Sequence, residues 1–411
     1  MKKLTPAVLA GALATGLMLG LAPASGASAG TAGSLDPAFG KGGVVLTDLG
    51  LDSGGTPINP VVSAATLLPN GDIVVGGAFG LARYLPNGQL DTTFSTGGVA
   101  LTTSLAGDFP PGLAVQPDGK YLLAGAGGGG FGVVRFNTNG SIDQSFGSGG
   151  LASTTIPNST VQGADAVLVQ PDGKILLAGD AFLNLSHAPE AAAMTRFNAN
   201  GSVDQTFGSG GSVTAASFSS IGTLGLDAAG DIFTLPVHAE FSPAGQADSA
   251  VIPAPITASS HGGTGVFQPS GGWVPASTVA VAKHDDDIQV QRFNADGSVA
   301  VSSPAFDFSG ATGLDQARDG AGGVAVQPNG QIVAVGGHFL GTEVIGVARV
   351  NADGSLDRAF GSGGTALTTL QGNAAASAVL IQPDGKILAV GSSENNATGI
   401  SDIAIVRYLG S

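Results

Sequence analysis

The chain has 411 residues, a formal net charge of −15 and no cysteine. An acidic balance of that size repels nucleic acid and anionic membranes, and the missing thiols exclude disulfides, cysteine nucleophiles and thiolate zinc sites. With 68 glycines and 22 prolines long helices are disfavoured, whereas 43% apolar residues suffice for a core, so the composition points to short strands separated by turns.

Residues 1–29 read as a signal peptide: Lys2 and Lys3 precede an apolar run from Ala7 to Leu21, and Ala27-Ser28-Ala29 offers a small-residue cleavage site. The run is interrupted by glycine and is shorter than the roughly 20 residues of a spanning helix. Neither a twin arginine nor a cysteine for lipidation accompanies it. The expectation is a secreted or periplasmic protein, with no membrane insertion after the leader is removed, whose residues 30–411 form one domain.

Three motifs then recur in step. Leu/Ile/Val-Asp-x-x-Phe-x-x-Gly-Gly occurs at 35–43, 90–98, 142–150, 203–211 and 356–364, with degenerate copies around Asp248 and Val299. Gln-Pro-Asp-Gly-Lys occurs at 116–120, 170–174 and 382–386, with variants at 68–72, 226–231, 268–272 and 327–331. Arg-aromatic-Asn-x-x-Gly-Ser starts at Arg135, Arg196 and Arg292, with variants at Arg83, Glu240, Arg349 and Arg407. Each motif counts seven units, and the spacing from Asp36 to Asp357 gives a period of about 50 residues, near that of propeller repeats.

Within the second unit the sequence predicts strands at 99–104, 112–115, 121–124 and 132–136, four per unit, as in a propeller blade. Gln116-Pro117-Asp118-Gly119-Lys120 predicts a hairpin with a three-residue turn: proline presets φ and glycine supplies the left-handed residue. The same turn at Ala352-Asp353-Gly354 sets Val350 opposite Leu356 and Arg349 opposite Asp357. Apolar pairs then share one face and charged pairs the other. Structural pairs Arg83–Asp91, Arg135–Asp143, Arg196–Asp204 and Arg349–Asp357 follow. The first unit begins in mid-motif and the last stops at Arg407-Tyr408, so Tyr408 is expected beside Leu35 and Arg407 beside Asp36. The fold class is therefore all-β: a seven-bladed propeller of four-stranded antiparallel blades, its ring closed by the N- and C-terminal strands, which removes open sheet edges.

Leu35-Asp36-Pro37-Ala38-Phe39-Gly40, Gln-Pro-Asp-Gly-Lys-Ile-Leu and Arg-Phe-Asn-x-x-Gly-Ser together resemble the delta-60 repeat family of bacteria, over residues 35–409. The resemblance implies a β-propeller and leaves the function largely unassigned. Units between 212 and 310 diverge from the pattern.

Candidate chemistry is sparse. Asn351-x-Asp353-Gly354-Ser355-x-Asp357 spaces oxygen side chains as a calcium loop does, but lacks the closing bidentate glutamate, and a hairpin turn explains the same residues. The glycine runs lack a following Lys-Ser/Thr. His187, His238, His261, His284 and His338 show no ligand spacing. His284-Asp285-Asp286-Asp287 is the one dense polar cluster, read as a solvated loop or, alternatively, a calcium or other cation site. No cofactor is evident beyond that possible calcium. Trp273, the sole tryptophan, is core or a sugar-stacking platform. His238, His261, Trp273 and His284 are the ligand-face candidates.

No Gly-x-Ser-x-Gly elbow or catalytically spaced carboxylate pair occurs. The preferred reading is a monomeric binding or scaffold propeller for a protein or glycan ligand, with specificity in the loops of one face. The alternatives are an extracellular hydrolase or lyase acting on a polymer through the divergent units, and a calcium-stabilised surface or adhesion protein.

Overall fold

The computed structural model describes residues 30–51, 54–106, 111–183, 190–215, 221–236, 239–247, 264–268, 270–282, 285–309, 318–339 and 341–411. No helix occurs among them. The turn chemistry dictates the local structure: Gln116 N–H donates to Lys120 O (2.8 Å), Gly119 N–H to Gln116 O (2.8 Å), and Val115 pairs with Tyr121. Gly119 takes a φ of 82°, a left-handed value that glycine adopts without steric cost. The second hairpin of the first six blades repeats this geometry, with Asn351 N–H on Ser355 O (2.7 Å) and Val350 opposite Leu356.

Seven antiparallel blades result. Blade 1 comprises Val62–Leu67, Ile73–Gly77, Gly80–Tyr84 and Val99–Leu101 in that order from the inner to the outer edge. The following blades begin with inner strands Gly112–Val115, Ser159–Val169, Ile221–Leu226, Thr264–Phe267, Arg318–Val326 and Ala374–Ile381. Each inner strand touches that of the next blade, and Ala374–Ile381 returns to Val62–Leu67, closing the ring. Blade 4 has three strands among the described residues, and blades 5 and 6 are joined by a parallel bridge between Asp286 and Arg318.

One boundary differs from the sequence expectation. Val99 was expected to open the second unit, but Val99–Leu101 pairs with Gly80–Tyr84 and forms the outer strand of blade 1. The turn at Gly97-Gly98 reverses the chain so tightly that Arg83 N–H donates to Gly98 O (3.0 Å), leaving the strand nowhere to pair but on its own blade. The same permutation closes the ring. Val44–Thr47 pairs with Ile400–Tyr408 as the outer strand of blade 7, Leu35 bridges Tyr408, and Gly33 N–H donates to Leu409 O (2.8 Å).

The core is divided among the blade junctions, because a sheet apolar on both faces must bury each of them against a neighbour. Ile175, Leu177 and Phe197 of blade 3 meet Leu122, Phe131 and Val133 of blade 2, and equivalent wedges fill the other junctions. Between blades 4 and 5 the described cluster is small: Leu235, Trp273 and Phe293, with Phe267 against it.

Ser95 stands out. Its φ is 45°, at the position occupied by Gly40, Gly147, Gly208 and Gly361 in other blades, where φ is 51° to 54°. A non-glycine residue there costs ~1–2 kcal/mol. Ser95→Gly should therefore raise stability by about 1 kcal/mol, read as a higher urea midpoint at unchanged slope; an unchanged or lower midpoint would refute the strain.

Candidate functional site

The repeated charged residues form a latch between blades. Arg135 Nε donates to Asp143 Oδ2 (2.9 Å), and its guanidinium lies 4.3 Å from the Phe146 ring centroid. Its Nη1 donates to Ala199 O (2.7 Å) in the hairpin turn of blade 3. Arg83 repeats the pattern with Asp91 (2.8 Å), Phe94 (4.5 Å) and Thr138 O (2.9 Å). Arg196 does so with Asp204 (2.8 Å), Phe207 (4.6 Å) and Pro243 O (2.5 Å), and Arg349 with Asp357 (2.7 Å), Phe360 (4.8 Å) and Gly410 O. All four sequence-expected pairs are thus brought together, each on one face of its hairpin.

The latch explains the motif's other letters. Asp143 Oδ1 accepts Ser145 N–H (3.1 Å) and Oγ–H (2.6 Å), capping the turn that delivers Phe146. Phe94 lies flat against the turn of blade 2, where a Cβ on Gly140 would sit 2.8 Å from the ring, so only glycine fits. A backbone bond from Ser95 N–H to Asn139 O (2.7 Å) completes the junction and recurs at Gly147, Gly208, Gly361 and Gly40. The carboxylates are held ionised: Lys120 (2.8 Å) and the Ser145 hydroxyl lead the causes that keep Asp143 well below the ordinary carboxylate range. At Asp204 burial opposes the shift, but Thr206, Lys174 and Arg196 outweigh it.

Asp353 and Asp357, members of the possible calcium loop, are engaged in the same way. Asp353 Oδ1 accepts Ser355 N–H (3.0 Å) and Oγ–H (2.7 Å), and Asp357 faces Arg349. Their oxygens serve the turn and the latch.

The latch fails between blades 5 and 6. Ala300 and Ser303 stand where the aspartate and phenylalanine would be, and Arg292 Nη2 instead donates to Gly330 O (2.6 Å). On the other face of that junction lies a cluster the sequence did not reveal. Asp307, Asp319 and His338 are 3%, 2% and 5% exposed, with ligand atoms all within 4.8 Å of one another. His338 Nδ1 is 2.6 Å from Asp319 Oδ1 and 3.6 Å from Asp307 Oδ1. Asp319 Oδ2 accepts Phe308 N–H (2.8 Å). Burial pushes the Asp319 carboxyl up to about 7; Asp307 adds to the rise, while the Phe308 bond and His338 oppose it. Asp319 and His338 are direct cross-strand partners, whereas Asp307 arrives on the segment leading out of blade 5. Only the fold brings the three together.

A wider asymmetry follows from the strand register. The hairpin turns between first and second strands, and the latch turns, lie at one end of the blades. Every lysine and arginine whose side chain is described sits toward that end, from Lys41 and Arg83 to Lys386 and Arg407. The opposite face carries the connections between second and third strands, and there stand Asp48, Asp286, Asp287, Glu343, Glu394 and Asp402. Lys283 and the side chain of Arg318 lie outside the described residues. Burial raises the carboxyl of Glu343, and burial together with Asp48 raises that of Asp402. A cleft of about 360 Å³ opens on this face across blades 6, 7 and 1, lined by Asn59, Glu343, Asn373, Ser377, Glu394 and Ser401. A cleft of about 400 Å³ beside Lys41, Val45 and Gly88 sits on the outer strand of blade 7, away from these groups.

The remaining sequence candidates fall as follows. Asp285, Asp286 and Asp287 lie on the strand Asp285–Phe293, not in the loop expected, where neighbouring positions such as Asp286 and Asp287 point to opposite faces. Trp273 is fully buried and stacks on Phe293 at 4.9 Å and 5°, which makes it core and not a sugar platform. His238, His261 and His284 lie outside the described residues, as do His187 and residues 1–29. Among the described residues no helix is long and apolar enough to cross a membrane.

Comparison with known proteins adds to this geometry. Residues 68–94, 116–146, 170–207, 327–360 and 382–410 match the family described as a domain of unknown function (DUF5122) beta-propeller. No curated protein matches significantly. Among solved structures, the extracellular domain of the one component system BT4673 from B. thetaiotaomicron is 12% identical with a TM-score of 0.46, covering 88% of this chain and 40% of that one. The gluconolactonase XC5397 from Xanthomonas campestris is 13% identical with a TM-score of 0.40, covering 94% and 98%. A protein of unknown function from Dyadobacter fermentans DSM 18053 is 12% identical with a TM-score of 0.43, covering 90% and 100%. The chain therefore spans well under half of the first of these, and none of the three bears on its activity. The matched segments fall on blades 1, 2, 3, 6 and 7, those that carry an intact latch, and the chain is a β-propeller repeat protein whose repeats are similar to that family.

Proposed function

We propose that the protein is an exported binding module that holds a cationic partner, a basic protein segment or an amine-bearing glycan, on its acidic face. The observation that carries this reading is the segregation of charge. Described lysines and arginines are spent at the latch end, and the opposite face presents carboxylates around the Glu343 and Glu394 cleft. A one-signed concave surface concentrates ligands of opposite sign and speeds their capture. The latches supply the second requirement of a binding module, a rigid ring that holds its loops in place. Export rests on the sequence of residues 1–29.

The test is binding of residues 30–411 to polylysine and to chitosan oligomers, with dextran and duplex DNA as controls, each with and without Ca²⁺. Affinity for the cationic polymers should fall roughly tenfold between 20 and 200 mM salt, since screening shortens the reach of the face. The double variant Glu343→Gln, Glu394→Gln should weaken it by a similar factor, and Ca²⁺ should compete. Salt-independent binding, preference for dextran, or unchanged affinity of the variant would refute the reading. Cleavage of either polymer by the same preparation would replace it with the enzymatic one.

A further inference from the structure

We propose that Asp307, Asp319 and His338 bind a divalent transition-metal ion of zinc type, and that the ion clips blade 5 to blade 6 at a junction where the arginine latch is incomplete. The donor set is one imidazole nitrogen and two carboxylates, which suits zinc and its first-row neighbours; calcium prefers an all-oxygen shell of six to eight ligands. Two ligands on a tetrahedral zinc with bonds of 2.0–2.2 Å stand roughly 3.3 Å apart. The His338 Nδ1 distances of 2.6 Å to Asp319 and 3.6 Å to Asp307 bracket that value, and all three ligand atoms lie within 4.8 Å of one another, close enough for modest side-chain rotation to bring them onto one ion.

The surroundings fit a structural metal. All three side chains are buried, and they come from separate elements: Asp307 from the segment leaving blade 5, Asp319 from the inner strand of blade 6, and His338 from its second strand. Asp319 is oriented from outside the cluster by the Phe308 N–H on its second oxygen, the kind of supporting bond that holds a ligating carboxylate in place. Phe308 is itself buried against Gly346 in blade 6, so the segment carrying Asp307 is anchored beside the site. Metal entry displaces the proton shared between His338 Nδ1 and Asp319 Oδ1, and that proton leaves to solvent. The clip sits on the acidic face, opposite the position where Ala300 and Ser303 have removed the latch.

The test uses untagged protein stripped with EDTA and titrated with Zn²⁺, Co²⁺ and Ca²⁺. One equivalent of Zn²⁺ should bind and raise the melting temperature, and one equivalent of Co²⁺ should give a visible absorption band. His338→Gln and Asp307→Asn should each weaken Zn²⁺ binding by about 100-fold while Ca²⁺ stays without effect at one equivalent. If a variant does not fold, the wild-type Co²⁺ titration decides alone. No stoichiometric Co²⁺ band, a response to Ca²⁺ only, or equal Zn²⁺ affinity in folded variants would overturn the proposal and leave the cluster a closed hydrogen-bonded group. The cationic-partner reading is tested separately, since its cleft variants do not touch these residues.

Discussion

Asp165→Asn should stabilise the protein at pH 8 by about 2–4 kcal/mol and by no more than about 1 kcal/mol at pH 4.5. Asp165 is the extra residue of a β-bulge between Ala164 and Ala166, and its Oδ1 is buried without a hydrogen-bond partner among the described residues. Burial, with Asp180 nearby, pushes its carboxyl up to about 8 from an ordinary 3.8. For a carboxyl raised in the folded state, the unfolded chain gives up its proton first. Stability is therefore full below about pH 4 and falls as pH rises toward 8. Asparagine has nearly the shape of the protonated acid and cannot ionise, so it removes the high-pH cost.

The latch carboxylates have the opposite sign. Asp36, Asp91, Asp143, Asp204 and Asp357 all lie below their ordinary value. Their contribution is complete above the unfolded pKa of 3.8 and is lost as pH falls further. The two sets together predict maximal stability at about pH 4 to 5, well below the usual range. Urea titrations of wild type and Asp165→Asn at pH 4.5, 6 and 8 check this: a flat wild-type profile, or a variant less stable at pH 8, would refute the assignment.

What the sequence made legible was what a hairpin makes local. The Arg–Asp pairs are eight residues apart across a three-residue turn, so turn chemistry and the sorting of apolar and charged positions sufficed to place them. The partner of each arginine in the next blade was not legible: Arg135 reaches Ala199, and Arg407 reaches Pro86 after a full circuit of the ring. The repeated phenylalanine had no visible reason in one dimension, because the two groups it touches, an arginine and a glycine turn, belong to different blades. The blade boundary was misplaced for the same reason, since pairing of Val99 with Ala82 is a choice between sheets that a repeat register does not make. His338 showed no ligand spacing because its acids come from an adjacent strand and from the previous blade. Asp286 and Asp287, adjacent in sequence, are separated by strand alternation.

These differences show what the motif is for. A hairpin alone needs only its turn and its apolar pair. The arginine, aspartate, phenylalanine and glycine are fixed together because each of the five latched junctions uses them together, and where two of them are missing, at Ala300 and Ser303, the junction is built differently.

The seventh blade is where the latch bears most on the fold, and Arg407→Ala should detach the N-terminal strand. Arg407 Nε lies 3.0 Å from Asp36 Oδ2, close enough for an ion pair though not aligned as a hydrogen bond. Its guanidinium covers Phe39 at 4.4 Å, and Nη1 donates to Pro86 O (2.8 Å) in blade 1. One side chain thus joins the last strand, the first motif and the first blade. Asp36 would keep Lys386 at 3.2 Å, so it is not left without a cation, and the cost should stay near the low end for breaking a buried pair, ~3 kcal/mol. In the internal latches that loss is spread over a continuous chain. Here it falls on a short terminal strand, Val44 to Thr47, which pairs with Ile403 to Val406 and is preceded by the Leu35–Tyr408 bridge. Amide exchange at residues 44–47 should speed up by roughly 100-fold in Arg407→Ala, with little change in blade 3, as expected for local opening. Arg83→Ala, which removes the same contacts inside the chain, should lower global stability without that selective effect. Uniform acceleration in Arg407→Ala, or none at 44–47, would show that the strand pairing and not the latch closes the ring.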